Sequence, residues 1–196
     1  MNVKNIKKYT PGFNIHDIQK KYNLKKVVKL ASNENPFISK NVLSFIKKSN
    51  HKLNLYPDSN PDELHKLLAN TVGHRMSSNN IILGNGSNEI LEFIVRANVD
   101  NKSEVIIPKH SFLVYEIISK LQNAKIIKTQ PDNDKASENY LGINLKLVLE
   151  KITKRTKLIF IANPANPTGT YIKLSEIDNF LQLVPKNTSV IIDEAY

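Results

Sequence analysis

The pattern of apolar and polar positions changes near residue 81 of this chain. Before that point, apolar residues recur at helical spacing between turns, which predicts helices at about 16–23, 40–50 and 61–72. After it, short runs that are apolar throughout alternate with loops and helical stretches. We predict five strands from these runs, at 81–83, 105–107, 124–129, 158–162 and 189–192. Such runs, separated by helices, are typical of an α/β fold with a mainly parallel sheet that has helices on both faces.

Capping signals predict where several helices begin. Ser39 is placed to cap the second helix, and Pro61 is expected at the first helical position of the third. Ser175 and Asp178 have the spacing of a capping box, in which two side chains satisfy the first free N–H groups of a helix. This spacing predicts a further helix that continues to about Leu183.

The chain is expected to contain three segments. Residues 1–35 are predicted to form an N-terminal arm, residues 36–80 a mainly helical part with a linker, and residues 81–196 the domain that contains the sheet. The last predicted strand is followed at once by residues 193–196, where the sequence ends. A ligand-binding parallel sheet places its functional residues just beyond such strand ends, so we expect the chain to be the first part of a longer protein.

Composition excludes several classes of protein. Hydrophobic residues make up 40% of the chain and charged residues 23%, which is typical of a folded globular protein. Cysteine is absent, so no disulfide and no thiolate nucleophile or ligand is available. The five histidines have no metal-like spacing, and we expect no metal site. No secretory or membrane-spanning apolar run is visible, and we expect a cytoplasmic protein.

The net charge of +10 suggests a nucleic-acid partner, but the distribution of the charges argues against one. Only three of the 28 basic residues are arginine, and the lysines are spread along the whole chain. Proteins that bind nucleic acids depend on arginine forks and on clustered basic stripes. We therefore expect neither a nucleic acid nor a membrane to be a partner.

Three segments at predicted strand ends carry candidate chemistry. The glycine loop 84–86 precedes a helix that begins near Ser87, where backbone N–H groups and the helix dipole favour a phosphate. Position 89 is Glu where a dinucleotide fingerprint has its third glycine. Asp193 ends an apolar strand, where a carboxylate needs a cation or a hydrogen-bond donor. The loop 163–169 contains two prolines, which suits the positioning of an asparagine side chain. A tight turn or a solvated strand end would explain each segment without a ligand.

Taken together, five blocks in this order resemble the fold-type I pyridoxal-phosphate aminotransferases, and most closely the histidinol-phosphate aminotransferase branch. The blocks are residues 30–37, 56–58, 84–89, 163–169 and 193–196. Residues 110–115 support the branch. The resemblance covers essentially the whole chain but only about the first half of a family member. It implies that residues 36–80 belong to a small domain and its linker, and residues 81–196 to the cofactor-binding large domain.

The resemblance implies an enzyme that exchanges an amino group between histidinol phosphate and 2-oxoglutarate in histidine biosynthesis, with pyridoxal 5'-phosphate as cofactor. Backbone amides of Gly86, Ser87 and Asn88 would hold the cofactor phosphate. Phe112 would stack on the pyridine ring. Asp193 would pair with the pyridinium nitrogen and keep it protonated, so that the ring accepts electrons from the substrate.

The remaining implied roles concern the cofactor oxygen, the partner subunit and the substrate. Asn166 and Tyr196 would hydrogen-bond the phenolic oxygen O3′ of the cofactor. Tyr56 resembles the tyrosine that reaches the phosphate in the partner subunit's site, which implies a homodimer. The residues that would help to close the substrate pocket are Tyr9, Asn33 and Asn35.

The sequence departs from the family pattern at three places. Ile38 stands where a glycine is common, and Ala165 replaces a frequent asparagine, although the neighbouring Asn166 is present. None of the lysines lies in the motif that carries the family's Schiff-base lysine, so we expect that lysine beyond Tyr196. The chain then holds no catalytic residue of its own, and the 196 residues alone are predicted to be inactive as a transaminase.

Three alternatives stay open. An aromatic aminotransferase or a threonine-phosphate decarboxylase-like enzyme would share nearly every block. A Rossmann-type nucleotide-binding module would bind NAD, although Glu89 argues against it. A non-catalytic remnant would keep only the fold and the dimer contacts.

Overall fold

The computed structural model describes residues 6, 9, 12–73 and 75–196, which fall into two compact units. The first unit contains Leu83–Tyr196 together with Ile6 and Tyr9, and the second lies within Thr10–Ile82. The predicted division into an arm, a helical part and a sheet domain stays a prediction. Within the described ranges, no helix has the length and the apolar content needed to cross a membrane.

The described part of the second unit contains three α-helices. They are α1 (Ile15–Tyr22), α2 (Lys40–Ser49) and α3 (Asp62–Val72). The predicted cap of α2 is confirmed, because the Ser39 hydroxyl accepts a hydrogen bond from the Val42 N–H at 3.4 Å. The prediction for α3 is wrong by one position. Pro61 is the N-cap, with a ψ of 73° that lies outside the helical region, and Asp62 is the first helical residue.

In the first unit, helices and strands alternate. The elements are α4 (Ser87–Asn98), β1 (Glu104–Pro108), α5 (Leu113–Leu121), β2 (Lys125–Thr129), α6 (Leu145–Leu149), β3 (Thr156–Ala162), α7 (Leu174–Leu183) and β4 (Ser189–Asp193). The four strands form one sheet in the order β2-β1-β3-β4, and every neighbouring pair is parallel. The predicted α/β class with a mainly parallel sheet is therefore confirmed.

Side chains that alternate along the strands give the sheet two apolar faces. Val105 and Ile107 of β1 belong to one buried cluster, which also includes residues of α4 and α5. Ile106 of the same strand belongs to a second cluster, which includes residues of α6 and α7. All five residues of β1 are buried. Helices thus cover both faces of the sheet, as the uninterrupted apolar runs predict.

The strand predicted at 81–83 is wrong. Ile81 has an extended backbone, with φ −110° and ψ 130°, but the run pairs with no strand of the described sheet. Ile82 is 70% exposed. Because inter-strand hydrogen bonds define a strand, an extended apolar run without a ladder partner is only a connection. Here it leads directly into the glycine loop before α4.

The capping box predicted at Ser175 and Asp178 is also wrong. Helix α7 begins at Leu174, one residue before the predicted cap. The Glu176 carboxylate accepts a hydrogen bond from the N–H of Lys173 at 3.1 Å. An acidic side chain in the first turn therefore accepts a hydrogen bond from the backbone N–H of the N-cap residue. The Ser-x-x-Asp spacing does not identify this residue.

A buried carboxylate marks the beginning of β1, opposite the ligand-binding edge of the sheet. The Glu104 side chain is 2% exposed and accepts hydrogen bonds from Thr153 Oγ1 at 2.6 Å, Arg155 Nη2 at 2.7 Å and Lys125 Nζ at 3.1 Å. The hydrogen bond from Thr153 contributes most to holding the pKa of Glu104 below its usual value, against the opposing effect of burial. This network joins β1, β2 and the segment before β3, and the sequence analysis does not identify it.

Candidate active site

The carboxyl ends of the parallel strands bring the predicted site residues of the first unit to one edge of the sheet. Asp193 is the last residue of β4 and is paired in register with Ala162, the last residue of β3. The Asn163 N–H donates to the carbonyl oxygen of Asp193 at 3.0 Å, which continues the pairing by one residue. Asp193 is half-buried. Its side chain is therefore held at the end of the sheet rather than free in solvent.

The glycine loop is shaped by Glu89. Its Oε2 atom accepts hydrogen bonds from the backbone N–H of Asn85 at 2.6 Å and from the Asn85 side-chain amide at 3.0 Å. A Cβ atom on Gly84 would lie 2.8 Å from the Ile90 Cδ1 atom, so a side chain there would require the Ile90 side chain to shift. Glu89 therefore closes the turn at the position where a dinucleotide fingerprint has a glycine.

Gly86 is the N-cap of α4, with φ 77° and ψ 170°, a conformation essentially confined to glycine. No other atom lies within 4 Å of the position that a Cβ on Gly86 would take, so the space beside this turn is open. The first N–H groups of a helix have no acceptor within the helix, and they carry the positive end of its dipole. Ser87 and Asn88 supply the first of these groups in the 12-residue helix α4.

A cleft of about 340 Å³ lies between the first turns of α4 and the end of β4. Its lining includes Ser87, Ile90, Asp193 and Ala195. The cleft is bordered by Ser87 in the first turn of α4, by the two acidic residues Asp193 and Glu194, and by apolar side chains of α4 and β4. The predicted residues Phe112, Asn166 and Tyr196 are not among its lining residues. This donor set fits a flat aromatic ligand that has a phosphate at one end and a protonated ring nitrogen at the other.

Tyr115 lies beneath this carboxylate and was not identified as a site residue from sequence. Its hydroxyl donates a hydrogen bond to Oδ2 of Asp193 at 2.5 Å, and the side chain is 1% exposed. Burial raises the pKa of the Tyr115 hydroxyl, and the hydrogen bond to Asp193 raises it further. The hydroxyl therefore remains a donor throughout the neutral pH range. The two residues are 78 positions apart, so no local pattern indicates their contact.

Phe112 and Tyr9, both predicted site residues, lie in one row of aromatic side chains with Tyr115. The rings of Phe112 and Tyr115 are perpendicular, with centroids 5.8 Å apart. The ring of Tyr9 meets Phe112 edge-on at 6.2 Å. On the other side, Tyr115 stacks on Phe160 of β3 at 4.6 Å, with 5° between the planes. Tyr9 therefore contacts the residue that is predicted to stack on the cofactor.

The loop 163–169 is anchored by Asn163. Its buried side chain donates to the carbonyl oxygen of Ile172 at 3.0 Å and accepts from the N–H of the same residue at 2.8 Å. Asn166, farther along this loop, donates a hydrogen bond to the Tyr196 hydroxyl at 3.1 Å. The two residues predicted to bind the same cofactor oxygen thus contact each other across the end of the sheet.

Three predicted site residues, Tyr56, Asn33 and Asn35, belong to the second unit. The Tyr56 side chain is 100% exposed. Asn35 Oδ1 accepts a hydrogen bond from the Phe37 N–H at 2.9 Å, which fixes the turn around Pro36. Asn33 has a left-handed backbone with φ 49°. Their predicted roles toward the cofactor, the partner subunit and the substrate remain predictions.

The fold is that of a parallel α/β domain, a class of fold in which ligand sites lie at the carboxyl ends of the strands. The particular family follows from comparison with known proteins. Residues 25–196 match the aminotransferase class I and II family, and the chain belongs to that family.

Several curated relatives and solved structures are similar to the chain. Histidinol-phosphate aminotransferase 2 of Haemophilus influenzae is 38% identical over 99% of the chain and 51% of its own length. Histidinol-phosphate aminotransferase of Desulfotalea psychrophila is 37% identical over 100% of the chain and 49% of its own length. The chain therefore spans about half the length of these relatives. The structure of histidinol-phosphate aminotransferase from Sinorhizobium meliloti in complex with pyridoxal-5'-phosphate superimposes on the chain with a TM-score of 0.82 and 23% sequence identity. The match covers 95% of this chain and 49% of that protein. This likeness shows the shared fold.

Proposed function

We propose that this chain carries the cofactor-binding part of a pyridoxal-phosphate-dependent aminotransferase that acts on histidinol phosphate. The observation that carries the proposal is the cleft shared by Ser87 and Asp193. It combines a phosphate-type amide site with a carboxylate held at the end of the sheet. Family membership and the relatives' names support the same reading.

In this proposal, the backbone amides of Gly86, Ser87 and Asn88 bind the phosphate of the cofactor at the positive end of α4. Asp193 pairs with the ring nitrogen and favours its protonated form. When bound, pyridoxal phosphate supplies an electron sink for the bond changes at the substrate α-carbon. The contribution of this chain is to hold the ring so that its nitrogen contacts the fixed carboxylate of Asp193.

The other predicted residues orient the ring and enclose the substrate. Phe112 limits the tilt of the ring by stacking. Asn166 and Tyr196, which already contact each other, donate to the phenolic oxygen of the cofactor. Tyr9 reaches the substrate side of the ring through its contact with Phe112. Asn33 and Asn35 are assigned to the substrate pocket, and Tyr56 is assigned to the phosphate site of a partner subunit in a homodimer.

The proposed reaction transfers the amino group of histidinol phosphate to 2-oxoglutarate, as a step of histidine biosynthesis in the cytoplasm. The transfer would be ping-pong, and bound pyridoxal phosphate would supply the group that carries the amino group between the two half-reactions. The amino donor and the 2-oxo acid are therefore bound in turn at one site, and no nucleic acid or membrane is required.

The activity test uses the complete reading frame that encodes this chain. Glutamate formation from histidinol phosphate and 2-oxoglutarate is measured for the parent, for Asp193→Ala and for Asp178→Ala, whose exposed carboxylate lies on α7. We expect turnover with histidinol phosphate, a loss of about 10²-fold or more in Asp193→Ala, and no loss in Asp178→Ala. Equal turnover of the parent and Asp193→Ala would remove Asp193 from its proposed role. Turnover with an aromatic amino acid, or release of CO₂ from a threonine phosphate, in place of turnover with histidinol phosphate would contradict the proposed substrate.

A further inference from the structure

The end of β4 and the middle of α5 meet in a contact that the cofactor chemistry does not itself require. The Tyr115 hydroxyl donates to Oδ2 of Asp193, and the N–H of Ala195 donates to Oδ1 at 3.2 Å. Among the described residues, each carboxylate oxygen accepts a hydrogen bond from the protein. An ionised carboxylate has about four acceptor positions, so these two bonds do not use all of them. The two donors fix the plane in which those remaining positions lie.

The donor itself is held rigidly. The Tyr115 ring stacks face to face on Phe160 and meets Phe112 edge-on, and it is almost completely buried. In addition, the Ser119 hydroxyl donates to the carbonyl oxygen of Tyr115 at 2.7 Å, within the same helix. A ring confined in this way cannot move its hydroxyl away from Asp193 without a rearrangement of the core. The hydroxyl is therefore a fixed donor that exists before any ligand binds.

We propose that Tyr115 is a positioning residue, which orients the Asp193 carboxylate so that it can bind the ring nitrogen of the cofactor. This inference rests on the proposed function. The hydrogen bond from Tyr115 orients the carboxylate before a ligand arrives, so less orientational freedom is lost when the ligand binds. In this role, Tyr115 acts through its hydrogen bond to Asp193.

The test measures binding of two probes by the apoprotein produced from the complete reading frame that encodes this chain, by fluorescence titration at neutral pH. The probes are pyridoxal 5'-phosphate and its 1-deaza analogue, in which a CH group replaces the ring nitrogen. The variants are Tyr115→Phe, Asp193→Asn, the double variant, and Tyr171→Phe as a control whose side chain is 60% exposed. Tyr115→Phe keeps the stacked ring and removes only the hydroxyl, and circular dichroism verifies that the variants are folded.

We expect Tyr115→Phe to weaken binding of pyridoxal 5'-phosphate by about tenfold, the scale of one hydrogen bond to a charged group. Binding of the 1-deaza analogue should be unchanged, because it has no nitrogen for Asp193 to hold. In the Asp193→Asn background, Tyr115→Phe should cause no further loss. Tyr171→Phe should match the parent with both probes.

The outcomes separate this inference from the proposed function. A parent chain that binds neither probe refutes the proposed function and this inference with it. If the parent and Tyr115→Phe bind pyridoxal 5'-phosphate equally well, the inference alone is refuted. The inference alone is also refuted if Tyr115→Phe loses the same affinity for both probes, because such a loss indicates a structural role. Should Tyr115→Phe fail to fold, the ¹³Cζ resonance of Tyr115 in the parent and in Asp193→Asn decides the matter. The resonance should shift between the two proteins, and an unchanged resonance would overturn the contact.

Discussion

Glu104 gives the sharpest prediction about stability, because a buried carboxylate there joins three chain segments. Its oxygens accept hydrogen bonds from Thr153, Arg155 and Lys125, while the Arg155 and Lys125 side chains remain about 60% exposed. Glu104→Gln keeps the shape and removes the charge. A hydrogen bond to a charged group contributes about 1.5–3 kcal/mol and a neutral one about 0.5–1.5 kcal/mol. Since the exposed cations regain water, we expect a net loss of about 2 kcal/mol.

The assay is urea denaturation at pH 7 and at pH 3, followed by circular dichroism, for the parent, Glu104→Gln and the exposed control Glu138→Gln. The pKa of Glu104 is lowered in the folded chain from its ordinary value of 4.5. Its stabilising contribution is therefore fully present above pH 4.5 and is lost as the pH falls through the lower folded value. The difference between the parent and Glu104→Gln should be largest at pH 7 and shrink toward pH 3.

Two results would refute this reasoning. One is a difference between the parent and Glu104→Gln at pH 7 that is no larger than for Glu138→Gln. The other is a difference that is the same at both pH values, since a change in packing alone does not titrate. Either result would mean that the ionised form of Glu104 contributes nothing to folding.

Two further predictions concern the loops at the edge of the sheet. Gly86→Ala should lower the free energy of unfolding by about 1–3 kcal/mol, because a backbone with φ 77° and ψ 170° is strained for any residue other than glycine. The same substitution should weaken binding of pyridoxal 5'-phosphate in a fluorescence titration. Unaltered stability and binding would contradict the conformation of the loop. Asn163→Ala should cost roughly 2–4 kcal/mol in urea denaturation, because it leaves both backbone groups of Ile172 without their side-chain partner. A loss no greater than that of the exposed control Asn179→Ala would show that the loop is held in another way.

Patterns within one element predicted the parts of the fold that depend on near neighbours. The apolar run 105–107 is a buried strand, and Ser39 caps a helix, as expected. The run 81–83 has the same apolar composition but lacks a pairing strand, which no local pattern reveals. Sequence periodicity indicates that a segment is extended, whereas pairing depends on residues far along the chain.

In the candidate site, too, local patterns predicted some residues and failed to predict contacts between residues far apart in the sequence. The glycine loop and Asp193 were predicted because each follows a recognisable strand or precedes a helix, and the structure brings Ser87 and Asp193 to one cleft. Tyr115 was missed as a partner of Asp193 because the two are distant in sequence and share no motif spacing. Glu104 was missed for a similar reason, since Arg155 lies 51 positions away. Such contacts exist only once the sheet and its covering helices have formed.

The most direct measurement of the central claim is a crystal structure of the chain grown with pyridoxal 5'-phosphate. We predict that the cofactor occupies the cleft between α4 and β4, with its phosphate at the amides of Ser87 and Asn88 and its ring nitrogen at the Asp193 carboxylate. A cofactor bound elsewhere, or one in this cleft with its ring nitrogen turned away from Asp193, would contradict the account.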